Sequence, residues 1–332
     1  MTLYALDDIG EAIDATRALL WPFDSSRWAK LAIVVFFIGS VGGGNPLQFG
    51  GSPSIGDAPD IPGAPGTPDA LPSISGPELA VITTVMTLIA LIGLLFMLVG
   101  SIMEFVFVES LRREAVTIRR FWSTHWRRGL RLFGFRLLLG ILTFGIIGLL
   151  IVVVFSPVLF GNGGISLGLV GLAIPLGLII TIISGLVYGF TTMFVVPAIT
   201  IEDRGVISAW RQFWPTMTGQ WKQYAAYAVV GFILRIAGGI VTSIATALGA
   251  LVVTIPLGIV GLLGIGVPTL SQIAGWAVIA IAAVLFVVAL ILLVVFASVP
   301  VQTFLRYYAL LVLGDTNETF DVIPRRRRTV RG

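Results

Sequence analysis

Long apolar stretches without a single charge dominate the chain: residues 79–103, 137–201 and 236–305 contain no Asp, Glu, Lys or Arg. A helix needs about 20 apolar residues to cross a bilayer. The first stretch therefore predicts one span and each of the others predicts two. A shorter apolar segment at 28–43, ended by Gly42-Gly43-Gly44, supplies a sixth. The predicted spans lie at about 28–43, 79–108, 131–156, 167–197, 220–254 and 273–303. The polar segments before them keep a helical apolar period. Ile9, Ile13, Thr16 and Leu20 form one stripe, Leu111, Ala115, Ile118 and Trp122 a second, and Val206, Trp210 and Phe213 a third. They predict short amphipathic helices at about 8–20, 110–122 and 203–214.

These elements repeat. Ile13-x-Ala15-x-Arg17, Trp21-Pro22 and Trp28-x-Lys30 return as Ile207-x-Ala209-x-Arg211, Trp214-Pro215 and Trp221-Lys222. A weaker copy reads Arg119-Arg120-Phe121-Trp122, then Trp126-Arg127-Arg128. Val108-Glu109, Val196-Pro197 and Val299-Pro300 mark the ends of the even-numbered spans. The chain thus reads as an all-α integral membrane protein. Its six transmembrane helices form three parallel two-helix repeats, each preceded by a cytoplasmic interfacial helix. The repeat units cover about 1–108, 109–201 and 202–313, and a basic tail covers 314–332.

Charge orients this plan. The segments 45–77, 157–166 and 256–272 contain no Lys or Arg, so the positive-inside rule places them outside and both termini in the cytoplasm of the cell membrane. Residues 45–77, with eight prolines, predict a disordered loop, and 255–272, with Pro256 and Pro268, a loop or re-entrant turn. Over the whole chain, 57% of residues are hydrophobic and 11% charged, against roughly 25% charged in soluble domains. There is no cysteine and one histidine, which excludes thiol chemistry and metal sites built on Cys or clustered His. His125, beside arginines, reads as a hydrogen-bonding residue.

The repeated Trp-Pro…Trp-basic element fits the headgroup layer, where tryptophan and basic side chains anchor. Trp21, Trp28, Lys30, Arg119, Arg120, Trp122, Trp126, Arg127, Arg128, Arg211, Trp214, Trp221 and Lys222 are the candidate headgroup contacts. They serve either membrane insertion alone or a lipid or partner site. Arg235 lies inside the fifth predicted span, where a mid-bilayer Arg costs about 2.5–3.5 kcal/mol. It therefore needs compensation; Glu104 is the candidate partner, and Arg136 competes for it. The intramembrane polar set is thus Arg235, Glu104 and Arg136. No nucleotide loop, paired carboxylates or Ser/His/Asp set accompanies them, and no cofactor is expected.

The stretch from Phe194 to Trp214, with Val196-Pro197, Glu202-Asp203-Arg204-Gly205 and Ala209-x-Arg211-x-x-Trp214, resembles a broad group of multipass proteins. That group includes the membrane domain of some glycerophosphoryl diester phosphodiesterases, whose catalytic domain has no counterpart here. The segment Phe304–Asn317 is similar to an uncharacterised haloarchaeal family, and the Arg-rich, Lys-poor usage suggests such a source. The resemblance implies a six-span membrane domain and no reaction. The expected function is non-enzymatic: membrane organisation or lipid association through the cytoplasmic interfacial helices. Membrane lipids are the expected partners, with a protein partner or a second copy beside them and no nucleic acid. The alternative is a transporter or channel for a lipid or small anion lined by Arg235.

Overall fold

The computed structural model describes residues 4–41, 76–159, 167–202, 205–266 and 272–331. The described elements are all helical. They are α1 (Tyr4–Leu20), α2 (Ser25–Val41), α3 (Gly76–Arg113), α4 (Ile118–Leu159), α5 (Leu167–Phe190), a π-helical turn (Thr191–Val195), α6 (Val196–Glu202), α7 (Val206–Gly219), α8 (Trp221–Gly266), α9 (Gln272–Thr316), a 3-10 turn (Glu318–Phe320) and α10 (Pro324–Arg331). Five helical runs are long and apolar enough to cross a membrane: Gly76–Arg113, Ile118–Val158, Leu167–Ile201, Trp221–Leu262 and Ala274–Thr316. The protein is an all-α, multipass membrane protein.

Burial divides the molecule into two zones. Of the most apolar window in each of the five runs, between 0% and 17% is buried. The core lies at the charged ends of the helices. There α3 buries Gly100–Leu111, the π-helical turn buries Thr191–Val195, and α9 buries Tyr307–Leu313. α1 closes this core with a face of small residues: Ala5, Ala12 and Ala15 are fully buried, and Ala5 accepts a hydrogen bond from Tyr308 at 2.7 Å. Gly129 brings α4 onto α3 so closely that a Cβ there would collide with Ile102. In the apolar zone α8 and α9 meet at Gly264 and Gly275, where a Cβ on Gly264 would stand 2.9 Å from the Gly275 carbonyl. Such small-residue crossings hold helices together where no hydrophobic drive exists.

Several sequence expectations change. The expected helix at 110–122 does not form: α3 runs to Arg113, a turn follows, and α4 continues unbroken from Ile118 into the apolar zone. Pro256 does not open a loop at 255, because α8 runs through it to Gly266; helices in apolar surroundings tolerate proline. Pro215 likewise lies inside α7, whereas α1 ends before the cis Trp21–Pro22 bond. Of the stripe expected on α1, Thr16 and Leu20 are buried and Ile9 packs against the core, whereas Ile13 is exposed; the buried face is widened by the alanines beside it. The tail is folded: α9 extends to Thr316 and α10 packs back on α1. α2 is short. Phe36 and Phe37 meet the ring of Phe96, about 30 Å along the α3 axis from Gly76 at 1.5 Å per residue. The turn expected at 161–164 and most of the loop expected at 45–77 lie outside the described residues.

Candidate functional site

Three helices and the π-helical turn bring one ionic hub into the core. Glu104 of α3 accepts from Arg136 of α4 at 3.1 Å through one carboxylate oxygen and from Arg306 of α9 through the other. Both arginines and the glutamate are buried. Arg136 also donates to the hydroxyls of Ser101 at 3.3 Å and Thr192 at 2.8 Å, and its guanidinium lies 4.8 Å from the Tyr188 ring centre. Arg306 donates to the Thr192 carbonyl at 2.5 Å and rests against Phe107.

The π-helical turn explains why a mid-helix carbonyl is free to accept. The Val196 N–H reaches back five residues to Thr191. In that register the next donor, for Thr192, would be residue 197, and Pro197 has no N–H. The missing donor leaves the Thr192 carbonyl open, and Arg306 fills the vacancy. One carboxylate therefore faces two guanidiniums, and the Nε of each arginine is buried without a hydrogen-bond partner.

Arg235 does not join this hub. It is exposed on α8, so the expected buried pair with Glu104 does not form; Arg136, the rival, holds Glu104 together with Arg306. The cause is the length of α8, which continues uncharged for 31 residues from Ile236 to Gly266. Arg235 thus lies near one end of the uncharged run and needs no buried partner. Arg306 escaped the sequence reading, yet it carried a signal. Like Glu104 and Arg136, it is the first charge bordering an uncharged run.

The candidate headgroup residues spread over the outside of the core zone. Trp21, Lys30, Arg119, Arg120, Trp126, Arg127, Arg211, Trp214, Trp221 and Lys222 are exposed, and Trp28, Trp122 and Arg128 are half-buried. Trp28 donates its indole N–H to the Leu20 carbonyl at 3.3 Å, capping α1, and Arg127 lies over the Trp126 ring. The repeated Ile-x-Ala-x-Arg stretch behaves alike in both strong copies: Ala15 and Ala209 are buried, while Ile13, Arg17, Ile207 and Arg211 face outward. Trp210, between the repeat positions, donates to Thr191 at 3.0 Å and supports the turn behind the hub. His125 is buried, makes a 2.9 Å hydrogen bond with the Phe121 carbonyl and stacks on Phe105, the role its setting predicts. Among the described residues no group of His, Cys, Asp or Glu is arranged to hold a metal.

Two further charged features lie at the same end. Arg331 of α10 contacts Asp8 at 3.2 Å, Glu11 at 2.8 Å and Asp315 at 2.5 Å, tying the C-terminal helix to α1 and α9. Asp8 is buried and its second oxygen has no hydrogen-bond partner. Burial, followed by the neighbouring Asp315, pushes its carboxyl up to about 8. Beside α10 a cleft of about 540 Å³ opens between the end of α3 and residues 321–326.

Neither the curated proteins nor the solved structures contain a match to this chain, so the resemblance to the phosphodiesterase membrane domain has no counterpart there. A family model does match, over residues 3–323, nearly the whole all-helical unit just described. The chain belongs to that family, a family of unknown function designated DUF7544.

Proposed function

We propose that the protein is a non-enzymatic membrane-organising protein that associates with lipid through a cytoplasmic core zone and three two-span hairpins, α2–α3, α4–α5 and α8–α9. The observation that carries this reading is the two-zone burial, with at most 17% of any apolar window buried. Such a surface needs lipid to cover it. The hub sets the depth. Glu104, Arg136 and Arg306 border the uncharged runs of α3, α4 and α9. The shortest described run above them, 137–159, rises about 34 Å at 1.5 Å per residue, enough for a hydrocarbon layer of about 30 Å. This register puts Arg235 at the cytoplasmic boundary, where its side chain reaches headgroups. The core zone then faces the cytoplasm, with exposed Trp21, Trp214, Trp221, Leu6 and Ile207 on its outer surface and the arginines of α4 beside them.

Six crossings and cytoplasmic termini follow in this reading. α2 starts at the core zone, whereas α3 starts at the far end, so the chain crosses between them. The contact of Arg331 with Asp8 supports both termini lying on one side. The buried hub fills the centre, which argues against a conduit past Arg235.

The test uses the full chain in vesicles, with tryptophan quenching by brominated phosphatidylglycerol or brominated phosphatidylcholine. The anionic lipid should quench more, and the excess should fall when Arg119, Arg120 and Arg127 are changed to Gln. Equal quenching by both lipids, or anion flux across the vesicles, would overturn the reading.

A further inference from the structure

The cleft beside α10 is lined by Arg112 and Arg113 at the end of α3, Glu114 in the turn, and Asp321, Arg325 and Arg326 at the start of α10. Four arginines face two acids, an excess of two positive charges. Both acids are already engaged: Glu114 by Arg326 at 2.8 Å and Asp321 by Arg327 at 3.3 Å. Arg112 and Arg113 answer Glu109 and the carbonyl end of α3, yet both remain about half exposed. Arg325 is exposed as well, and the buried Nε of Arg326 has no hydrogen-bond partner.

The backbone adds to the same field. Pro324 begins α10 and the next donors, the N–H groups of Arg325 and Arg326, precede the first intrahelical bond, from Arg327 to Ile323 at 3.0 Å. Such first-turn donors favour an anion. Across the cleft Glu114, the residue after α3, holds φ at 54°, the left-handed conformation that commonly closes a helix C-terminus. The volume exceeds what one anion needs and falls in the usual range for small-molecule sites, about 300–1,000 Å³.

We infer that this cleft binds a phosphomonoester, a group whose charge of about −1.5 to −2 at neutral pH matches the excess of the lining. The recognised group is the phosphate, carried either by a soluble molecule or by a lipid headgroup. Planar guanidiniums grip it by paired hydrogen bonds. This goes beyond lipid association, because the cleft lies on the cytoplasmic side of the hub and uses none of the tryptophans.

The full chain in phosphatidylcholine nanodiscs should bind inorganic pyrophosphate saturably, at one site per chain, in calorimetric titration. Nanodiscs containing phosphatidic acid provide the second arm, read by thermal shift. Binding of pyrophosphate assigns a soluble source; a response to phosphatidic acid alone assigns a headgroup. Arg325→Gln and Arg112→Gln should each weaken binding about tenfold, the factor of one charge-assisted hydrogen bond. Arg17→Gln, an exposed charge on α1 away from the cleft, should leave it unchanged. No saturable response to either probe, or an equal loss in Arg17→Gln, would overturn the inference. Pyrophosphate binding without any anionic-lipid preference would leave the cleft standing and remove only the lipid-association reading.

Discussion

Glu104 is outnumbered in the hub, and that imbalance decides how its variants behave. Removing one partner of a buried ionic set strands the remaining charges and costs about 3–5 kcal/mol. Glu104→Leu strands two guanidiniums, so it should lower the melting temperature in detergent more than Arg136→Leu or Arg306→Leu. Replacing all three by apolar residues should recover most of the loss. Arg235→Leu should change the melting temperature little, as for exposed substitutions elsewhere; a loss equal to that of Glu104→Leu would contradict the exposed placement. Asp8 gives the second residue-scale prediction. Its carboxyl faces Glu11 on α1, Asp315 on α9 and Arg331 on α10. The folded pKa of about 8 lies above the unfolded value near 3.8. Between those values the folded state holds the extra proton, so stability falls as pH rises from about 4 to about 8. Melting curves across that window should show the decline, and Asp8→Asn should flatten it. A rise with pH, the usual carboxylate behaviour, would refute the buried acid.

At the scale of elements, prolines inside helices carry opposite meanings according to what their missing N–H leaves free. A helix-interior proline costs about 3 kcal/mol relative to Ala. Pro215→Ala in α7 should therefore raise the melting temperature. Pro197→Ala should not, because a restored N–H competes with Arg306 for the Thr192 carbonyl, and a hydrogen bond to a charged group is worth about 1.5–3 kcal/mol. Equal gains in both variants, by thermal unfolding, would mean that the π-helical turn does not serve the hub. This contrast also shows what the sequence makes legible. The five long spans follow from charge-free length alone, and the buried Ala15 and Ala209 follow the repeat. The course of α8 through Pro256 does not, because propensity does not register what surrounds a proline. The partnership of Glu104 with Arg306 crosses 202 residues of sequence, and no local pattern encodes that distance. Arg235 misled for a related reason: its depth depends on where the uncharged run ends, which the expected loop at 255 placed too early.

For the whole molecule, the division into a charged core zone and an exposed apolar zone makes topology the decisive property. Leu167, at the start of α5, and Thr329, on α10, lie at opposite ends of the charge pattern, and both are exposed. The chain contains no cysteine, so a single introduced thiol reports its own side. Leu167→Cys should react with a membrane-impermeant maleimide on intact cells, and Thr329→Cys only after the membrane is opened. The two ends of α4 are separated by a charge-free run long enough for the hydrocarbon layer, and the arginines flanking that run, Arg131 and Arg136, lie on the core side. Inverting the molecule would carry that basic zone, including the folded α10 with its four-arginine run, across the membrane, against the positive-inside bias. Labelling of Thr329→Cys on intact cells would therefore reverse the orientation of the entire core zone. Labelling of both positions on intact cells would be more damaging. It would put Leu167, the far end of an uncharged run long enough to cross the hydrocarbon layer, on the same side as α10 of the core zone where that run ends, which such a run does not allow.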